Sequence, residues 1–519
     1  MTIRPLFFSS LLALGTTPLL HAEATNAPAG SAPKKPNVLF IAVDDLRPEL
    51  GCYGKDYIKS PNIDRIAAKG IVFDRAYCQE AVCSPTRTSL LTGTRPDTNK
   101  VWDLKTHFRK ALPDVVTLLQ NFKNNGYFVQ GMGKIYHGGF NDPESWSVPW
   151  VNPKSQVYAL PENLELNGHK PAGEPDGDGE SKLPGPKEPY AAGEIAPNRL
   201  RTRGPAYECA DVPDNNYTDG KVADLAIEAL RNVAAKKEPF FLAVGFVKPH
   251  LPFVAPKKYW DLYDPKTIKL APNPFRPKDA PDYSLLEGGE LRIYHGIPDG
   301  HLPDDLALKL KHAYYASVSY ADAQVGKLLD ELKRLGLDKD TIVILWGDHG
   351  WKLGEHDAWA KHSNVENDVN APLILSVPGM KKPGVHSSAL VEFVDVYPTL
   401  SELAGLPLPS HLEGTSFKPL LENPSRPWKT AAFSQYPRSH EATHKEDLMG
   451  CSMRTDRYRF TVWVDEKDHS KIDAVELYDH QADPQENVNI AKKPENADLV
   501  KQLMSQWKKG WQGAKPPAA

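Results

Sequence analysis

The sequence predicts an α/β protein in which a large sheet is flanked by helices on both faces and followed by a small α+β subdomain. Three observations predict it. Continuous apolar runs rich in branched residues, at 37–43, 239–246 and 341–346, are what strands covered on both faces require. Helical patterns at 62–69, 115–125, 219–235 and 304–335 alternate with them, as in a doubly wound fold. After Pro424-Ser425-Arg426-Pro427 the pattern changes to short strand-like runs at 431–436, 449–464 and 476–478 and a terminal amphipathic stretch at 497–511.

At the start of the chain, Arg4 precedes an apolar run from Leu6 to Leu14, and Ala22-Glu23-Ala24 comes after it. This predicts a signal peptide over 1–24. Gly15-Thr16-Thr17-Pro18 interrupts the run, which therefore falls short of the roughly 20 apolar residues that span a bilayer. With no cysteine near the cleavage site, neither a membrane anchor nor a lipid anchor is expected. The protein is expected to be exported, to the periplasm or the medium if it is bacterial. Residues 25–36 read as a linker rich in Pro, Ala, Gly and Lys.

The strand at 37–43 ends in Asp44-Asp45-Leu46-Arg47. Two adjacent carboxylates at a buried strand end repel one another, so a cation is implied. Successive strand residues face opposite ways, so both reach one ion only if the chain turns there. A β-like run over 71–77 leads to Cys83-Ser84-Pro85-Thr86-Arg87, and Pro85 with Ser89-Leu90-Leu91 reads as a first helical turn. Cys83 then stands at a helix N-terminus, where free N–H groups and the helix dipole favour an anionic centre.

Further along, a strand at 127–130 leads to Lys134 and His137, the strand at 239–246 to Lys248-Pro249-His250, and the strand at 341–346 to Gly347-Asp348-His349-Gly350. Residues 141–213 are Pro/Gly-rich with few periodic runs and read as an insertion loop. A strand at 372–377 and a helix at 391–404 close the first domain, which the pattern bounds at 37–430, with the C-terminal subdomain at 431–519. In doubly wound sheets, sites form outside the carboxyl ends of strands. Asp44, Asp45, Lys134, His137, His250, Asp348 and His349 all come after strands there, which predicts one shared cleft. Its hard oxygen donors suit Ca²⁺ or Mg²⁺, its Lys and Arg can neutralise an oxyanion, and a His can protonate a leaving alcohol. That is a site for hydrolysing a sulfate or phosphate ester.

The net charge of −4 gives no general affinity for polyanions, so a sulfated polymer would need a local basic site. There is no basic stripe with interleaved aromatics, and no nucleic-acid partner is expected.

The stretch from Cys83 to Arg87, with Leu91-Thr92-Gly93 after it, resembles the signature of the type I, formylglycine-dependent sulfatases. Asp44-Asp45-Leu46-Arg47, Gly133-Lys134-Ile135-Tyr136-His137, Lys248-Pro249-His250, Asp348-His349-Gly350-Trp351, Leu353-Gly354-Glu355-His356 and Trp359-Ala360-Lys361 extend the resemblance to the iduronate-2-sulfatase branch. It runs from about residue 36 to about 490. The resemblance implies an alkaline-phosphatase-like fold and a formylglycine made from Cys83 by a maturation enzyme, whose hydrate attacks the sulfur of a sulfated carbohydrate. It implies Ca²⁺ held by Asp44, Asp45, Asp348 and His349 with modified Cys83, although most members have Asn where this chain has His349. Arg87 and Lys134 would bind sulfate with His137 nearby, and His250 and Lys361 would contact sulfate and the bridging oxygen, with His250 as general acid. The branch suggests a 2-O-sulfated uronic acid at a chain end, contacted by Lys105, His107, Trp351 and Trp359. If Cys83 is converted, Cys52, Cys78, Cys209 and Cys451 remain, and four cysteines can pair in three ways. Two alternatives stand beside this expectation: a phosphodiesterase or phosphonate hydrolase of the same superfamily, and a non-catalytic protein that binds sulfated polysaccharide.

Overall fold

The computed structural model describes residues 1–2, 35–168, 171–172, 203–236, 238–286, 288–443 and 446–517. Beyond its first two residues the expected signal peptide lies outside them, as do 25–34 of the linker and 169–170 and 173–202 of the insertion. Among the described residues no helix is long and apolar enough to cross a membrane.

In chain order the large sheet comprises β1 (Asn37–Val43), β2 (Ile71–Phe73), β3 (Phe128–Gly133), β4 (Phe240–Phe246), β5 (Thr341–Gly347), β6 (Leu373–Ser376) and β7 (Val385–Ser387). Across the sheet they lie in the order β7-β2-β6-β5-β1-β4-β3. β1 pairs in parallel with β5 and β4, and β3 with β4. β6 alone reverses, running antiparallel to β5 and β2, so the sheet is mixed.

Side-chain alternation splits the core in two. Leu39, Ile41 and Val43 of β1 join Leu242 and Val244 of β4 on one face, while Val38, Phe40 and Ala42 join Phe241, Ile344 and Trp346 on the other. The helices that frame the sheet and the site are α1 (Pro61–Ala68), α2 (Cys83–Thr92), α3 (Leu118–Asn124), α4 (Thr218–Lys236), α5 (Gly289–Arg292), α6 (Asp304–Arg334), α7 (Val396–Leu403) and α8 (Ala497–Lys508). α1, α4 and α6 cover the first face through residues such as Ile63, Leu230 and Leu310. α2, α3 and α7 cover the second through Leu90, Phe122 and Leu400.

Two helices begin later than their apolar patterns suggest. α3 starts at Leu118 because Thr117 and Gln120 form a reciprocal capping box, which fixes the first turn. Residues Val391–Glu392 are extended, and Glu392 and Asp395 form a second such box before α7.

The C-terminal part is an antiparallel meander of β8 (Ala431–Arg438), β9 (Leu448–Thr455), β10 (Tyr458–Asp465) and β11 (Ile472–Asp479), with α8 beside it. Residues Pro36–Ala519 form one compact unit. The meander reaches toward the large sheet through Arg438, which donates to the carbonyl of His362 at 2.6 Å, and through Gly450, whose carbonyl accepts from Asn364 Nδ2 at 2.9 Å. All five cysteines are free thiols.

Candidate active site

β5, β1, β4 and β3 are neighbours in the sheet, and all four run the same way. Adjacent strands lie about 4.8 Å apart, so the residues just past their carboxyl ends share one cleft. Asp348 lies past β5, Asp44 and Asp45 past β1, His250 a little beyond β4, and Lys134 past β3.

Local backbone conformation aims these groups. Asp45 adopts a left-handed φ of 56°, the turn that two consecutive aspartates need to face one volume, and its N–H donates to Asp348 Oδ1 at 3.0 Å. At the end of β3, Gly133 has φ of 67°, and a Cβ there would lie 2.0 Å from the carbonyl oxygen of Gly245. Only glycine allows this approach, and Lys134 leaves the sheet directly from it. Beyond β4, Asp219 at the start of α4 accepts from the N–H groups of Val247 and Lys248 at 2.8 and 2.7 Å. Lys248 Nζ donates to the carbonyls of His250 and Pro252 at 2.6 and 2.8 Å, so it ties this loop together from within.

Cys83 opens α2 after the extended residue Val82, and it is buried. Its Sγ lies 3.4 Å from His349 Nε2 and 3.7 Å from Lys134 Nζ. Ligand atoms of Asp44, Asp45, Cys83 and His250 all fall within 4.8 Å of one another, and so do those of Cys83, Asp348 and His349. Burial, with Asp44 beside it, pushes the Cys83 thiol well above its usual value despite Lys134 and Lys361 nearby. The unmodified thiol is therefore a poor nucleophile here.

Arg87, one turn into α2, donates from Nη2 to Asp44 Oδ1 at 2.8 Å, from Nε to Asp348 Oδ2 at 3.0 Å, and from Nη1 to the carbonyls of Lys134 and Ile135. Most of its N–H groups are thus held by the protein. The sequence suggests Arg87 as a sulfate ligand; the geometry makes it a brace between three strand ends. Lys134 Nζ pairs with Asp44, and Lys361 Nζ lies 3.0 Å from Asp45 Oδ1. Burial works against both ammonium groups, but the neighbouring carboxylates hold them charged, above the usual lysine value. His250 Nδ1 donates to the carbonyl of Leu251 at 2.6 Å, which turns Nε2 into the cleft. Burial pulls His250 down, and Asp45 and Glu290 carry it above its usual value.

The donor set fits a hard divalent cation. It is buried and rich in carboxylate oxygen. Asp348 is pushed up by burial and by the Asp44 charge beside it, a conflict that a cation between them relieves.

Other expected residues fall elsewhere. Trp351 and Trp359 are 0% and 3% exposed and belong to the core on the first face of the sheet. The sequence suggests them as sugar contacts; in the structure both rings are buried in that core, that of Trp351 5.0 Å from Lys361 Nζ. A tryptophan in a charged loop fits either role, and only the packing decides. Lys105 is exposed, while His107 stacks on Phe108 at 4.6 Å and accepts from the Arg109 N–H at 3.1 Å. His137 is buried, with its ring 5.9 Å from that of Phe140.

One residue that the sequence did not single out belongs to the cleft. Glu290 of α5 is buried, with Oε1 3.1 Å from His250 Nε2 and Oε2 3.0 Å from Lys361 Nζ. Gly288-Gly289-Glu290 comes after no strand and joins no periodic run, so nothing local marks it.

A family profile described as Sulfatase spans residues 36–406, and one described as N-sulphoglucosamine sulphohydrolase, C-terminal, spans 354–512. The chain belongs to the sulfatase family. Iduronate 2-sulfatase of Homo sapiens is 36% identical to this sulfatase over 555 residues, covering 93% of it and 96% of the human protein. Among solved structures, one described as a complex with its substrate D-glucosamine-2-N,6-O-disulfate superposes with a TM-score of 0.68 at 24% identity, over 93% of this sulfatase and 98% of that chain. The phosphonate monoester hydrolase of Agrobacterium radiobacter superposes with 0.69 at 21% identity, over 91% and 95%. The sulfatase is accordingly a sulfuric ester hydrolase with the alkaline-phosphatase-like fold.

Proposed function

We propose that this sulfatase hydrolyses a sulfate ester of a sulfated carbohydrate, its substrate being a 2-O-sulfated uronic acid at a chain end, and that it is exported to do so. The observation that carries the proposal is the gathering of Asp44, Asp45, Asp348, Lys134, Lys361 and His250 around Cys83 at a helix start. Similarity to human iduronate 2-sulfatase supports the uronic acid.

A formylglycine made from Cys83 by a maturation enzyme would supply a hydrated aldehyde as nucleophile. Calcium held by Asp44, Asp45, Asp348 and His349, with modified Cys83, would supply positive charge beside the ester oxygens. The chain's own residues do the rest. Lys134, half-buried, neutralises the non-bridging sulfate oxygens, and Lys361, buried, reaches sulfate and the bridging oxygen; carboxylates hold both charged in a cleft of lowered dielectric, where each charge counts for more than in water. His250, fixed through Nδ1, carries at Nε2 the proton that the departing sugar alcohol needs. Arg87 keeps Asp44, Asp348 and the start of the Lys134 segment in register with Cys83.

Peptide mass spectrometry across Cys83, on protein co-expressed with a maturation enzyme, paired with sulfate release from a panel of sulfated glycans, tests the proposal. An aldehyde at position 83 with release from a 2-O-sulfated uronic acid supports it. Release from another glycan class overturns the uronic-acid assignment alone. An aldehyde with no sulfate release, but turnover of an aryl phosphonate, favours the phosphonate-hydrolase alternative.

A further inference from the structure

We propose that Glu290 is a positioning residue for departure of the leaving group: its carboxylate holds the His250 imidazole and the Lys361 ammonium side by side, so that both donors converge on the bridging ester oxygen. The assignment rests on the sulfatase reaction proposed above.

The fold places Glu290 by two close fits. Gly288, just before α5, has φ of 85°, and a Cβ there would lie 2.2 Å from the carbonyl oxygen of Trp359. The turn that carries Glu290 is thereby seated against the short strand Trp359–Ala360, and Lys361 comes next. On its other side, Arg292 donates to the carbonyls of Pro298 and Gly300, which closes the loop on itself, and Leu291 is buried in the core. The carboxylate is held on a firm support.

Its two oxygens divide the work. Oε1 lies 3.1 Å from His250 Nε2 and Oε2 lies 3.0 Å from Lys361 Nζ. Neither oxygen has an aligned hydrogen bond. Contact at these distances orients the imidazole and the ammonium, and the ammonium, with three N–H bonds, keeps one for another acceptor. Each cation has a second anchor, the Leu251 carbonyl on His250 Nδ1 and Asp45 on Lys361, so each is fixed from two directions. Glu290 is the carboxylate that lies close to both groups, 3.1 Å from His250 Nε2 and 3.0 Å from Lys361 Nζ, whereas Asp45 lies 3.0 Å from Lys361 and 3.9 Å from His250. A buried carboxylate is costly unless paired, and here the pairing falls on the two groups that face the departing oxygen.

This role predicts a dependence on the leaving group. A sugar alcohol leaves poorly and needs a proton and a nearby cation; a nitrocatecholate leaves without either. The experiment compares kcat/KM of wild type, Glu290→Gln and Glu290→Asp, all with Cys83 converted as verified by mass. The substrates are 4-nitrocatechol sulfate and whichever sulfated disaccharide the wild type desulfates fastest. Glu290→Gln should lose about 10-fold or more on the sugar sulfate and less than about 3-fold on the aryl sulfate, with Glu290→Asp recovering part of the difference. Equal losses on both substrates, as a merely structural role would give, or no loss on either, would overturn the assignment. Wild-type protein that releases sulfate from neither substrate would instead overturn the sulfatase reaction beneath it.

Discussion

The backbone N–H of Asp45 donates to the side chain of Asp348 at 3.0 Å, although the two residues are 303 positions apart. This bond joins the ends of β1 and β5 and sets two proposed calcium ligands at a fixed distance. Calcium at about 100 times its dissociation constant should stabilise the folded protein by about 2.7 kcal/mol, seen as a raised melting temperature that a chelator reverses. Asp45→Asn and Asp348→Asn should lose most of that increment. A calcium shift of wild-type size in both variants would remove these residues from the ion.

Cys83 is buried at the start of α2, with its sulfur facing His349 and Lys134. Cys83→Ala should lower sulfate release by on the order of 10³-fold or more, because it removes the proposed precursor of the nucleophile. The same change should cost less than about 2 kcal/mol of stability, since the sulfur joins no disulfide. Turnover within a few-fold of wild type would place the nucleophile elsewhere.

Gly133 combines a left-handed φ with a carbonyl 2.0 Å from the place a Cβ would take. Gly133→Ala should destabilise by about 2 kcal/mol or more in urea unfolding and weaken substrate binding through displaced Lys134. Gly54→Ala is the control. Gly54 has φ of 77° with nothing within 4 Å, so only the backbone term remains and the cost should be about 1 kcal/mol. Equal costs at the two positions would show that the Gly245 carbonyl yields freely.

Glu355 gives a pH dependence outside the proposed calcium ligands. Burial works against its charge, but Arg47 at 2.9 Å and the Leu353 N–H hold its carboxyl down at about 2, below the usual 4.5. A depressed acid adds stability that is fully present above pH 4.5 and disappears as pH falls through about 2. The shift corresponds to about 3 kcal/mol. Glu355→Gln should therefore lower stability near neutral pH and flatten the decline between about pH 4.5 and 2, as monitored by denaturant midpoints. A variant with the slope of wild type would assign that acid limb to other carboxylates.

The sheet was legible because its strands are buried on both faces, and such strands carry continuous apolar runs. The polar groups after β1, β3, β4 and β5 were legible for the same reason: a charge directly after an apolar run is conspicuous. The need for a turn at Asp45 came from strand geometry alone, and φ of 56° meets it. Glu290 was not legible. It arrives from a loop, held by a glycine packed on Trp359 and by Arg292, and its partners are 40 and 71 positions away. The tryptophans show the converse. Trp351 and Trp359 are conspicuous in a charged loop, yet they fill the core beneath it. The late starts of α3 and α7 reflect capping carboxylate and amide side chains, which apolar periodicity does not register.

The position of β5 has a consequence for biosynthesis. It lies in the middle of the sheet, between β1 and β6, but is encoded after residue 340. While the chain is being made, β1 can pair with β4 on one side and stays an open edge on the other until β5 has emerged. Asp348, which receives Arg87 and the Asp45 N–H, arrives at the same moment. Cys83 is therefore synthesised long before the partners that enclose it, and a nascent chain presents this thiol for an extended interval. The maturation enzyme proposed for Cys83 would have its best access in that interval, before β5 and Asp348 are in place.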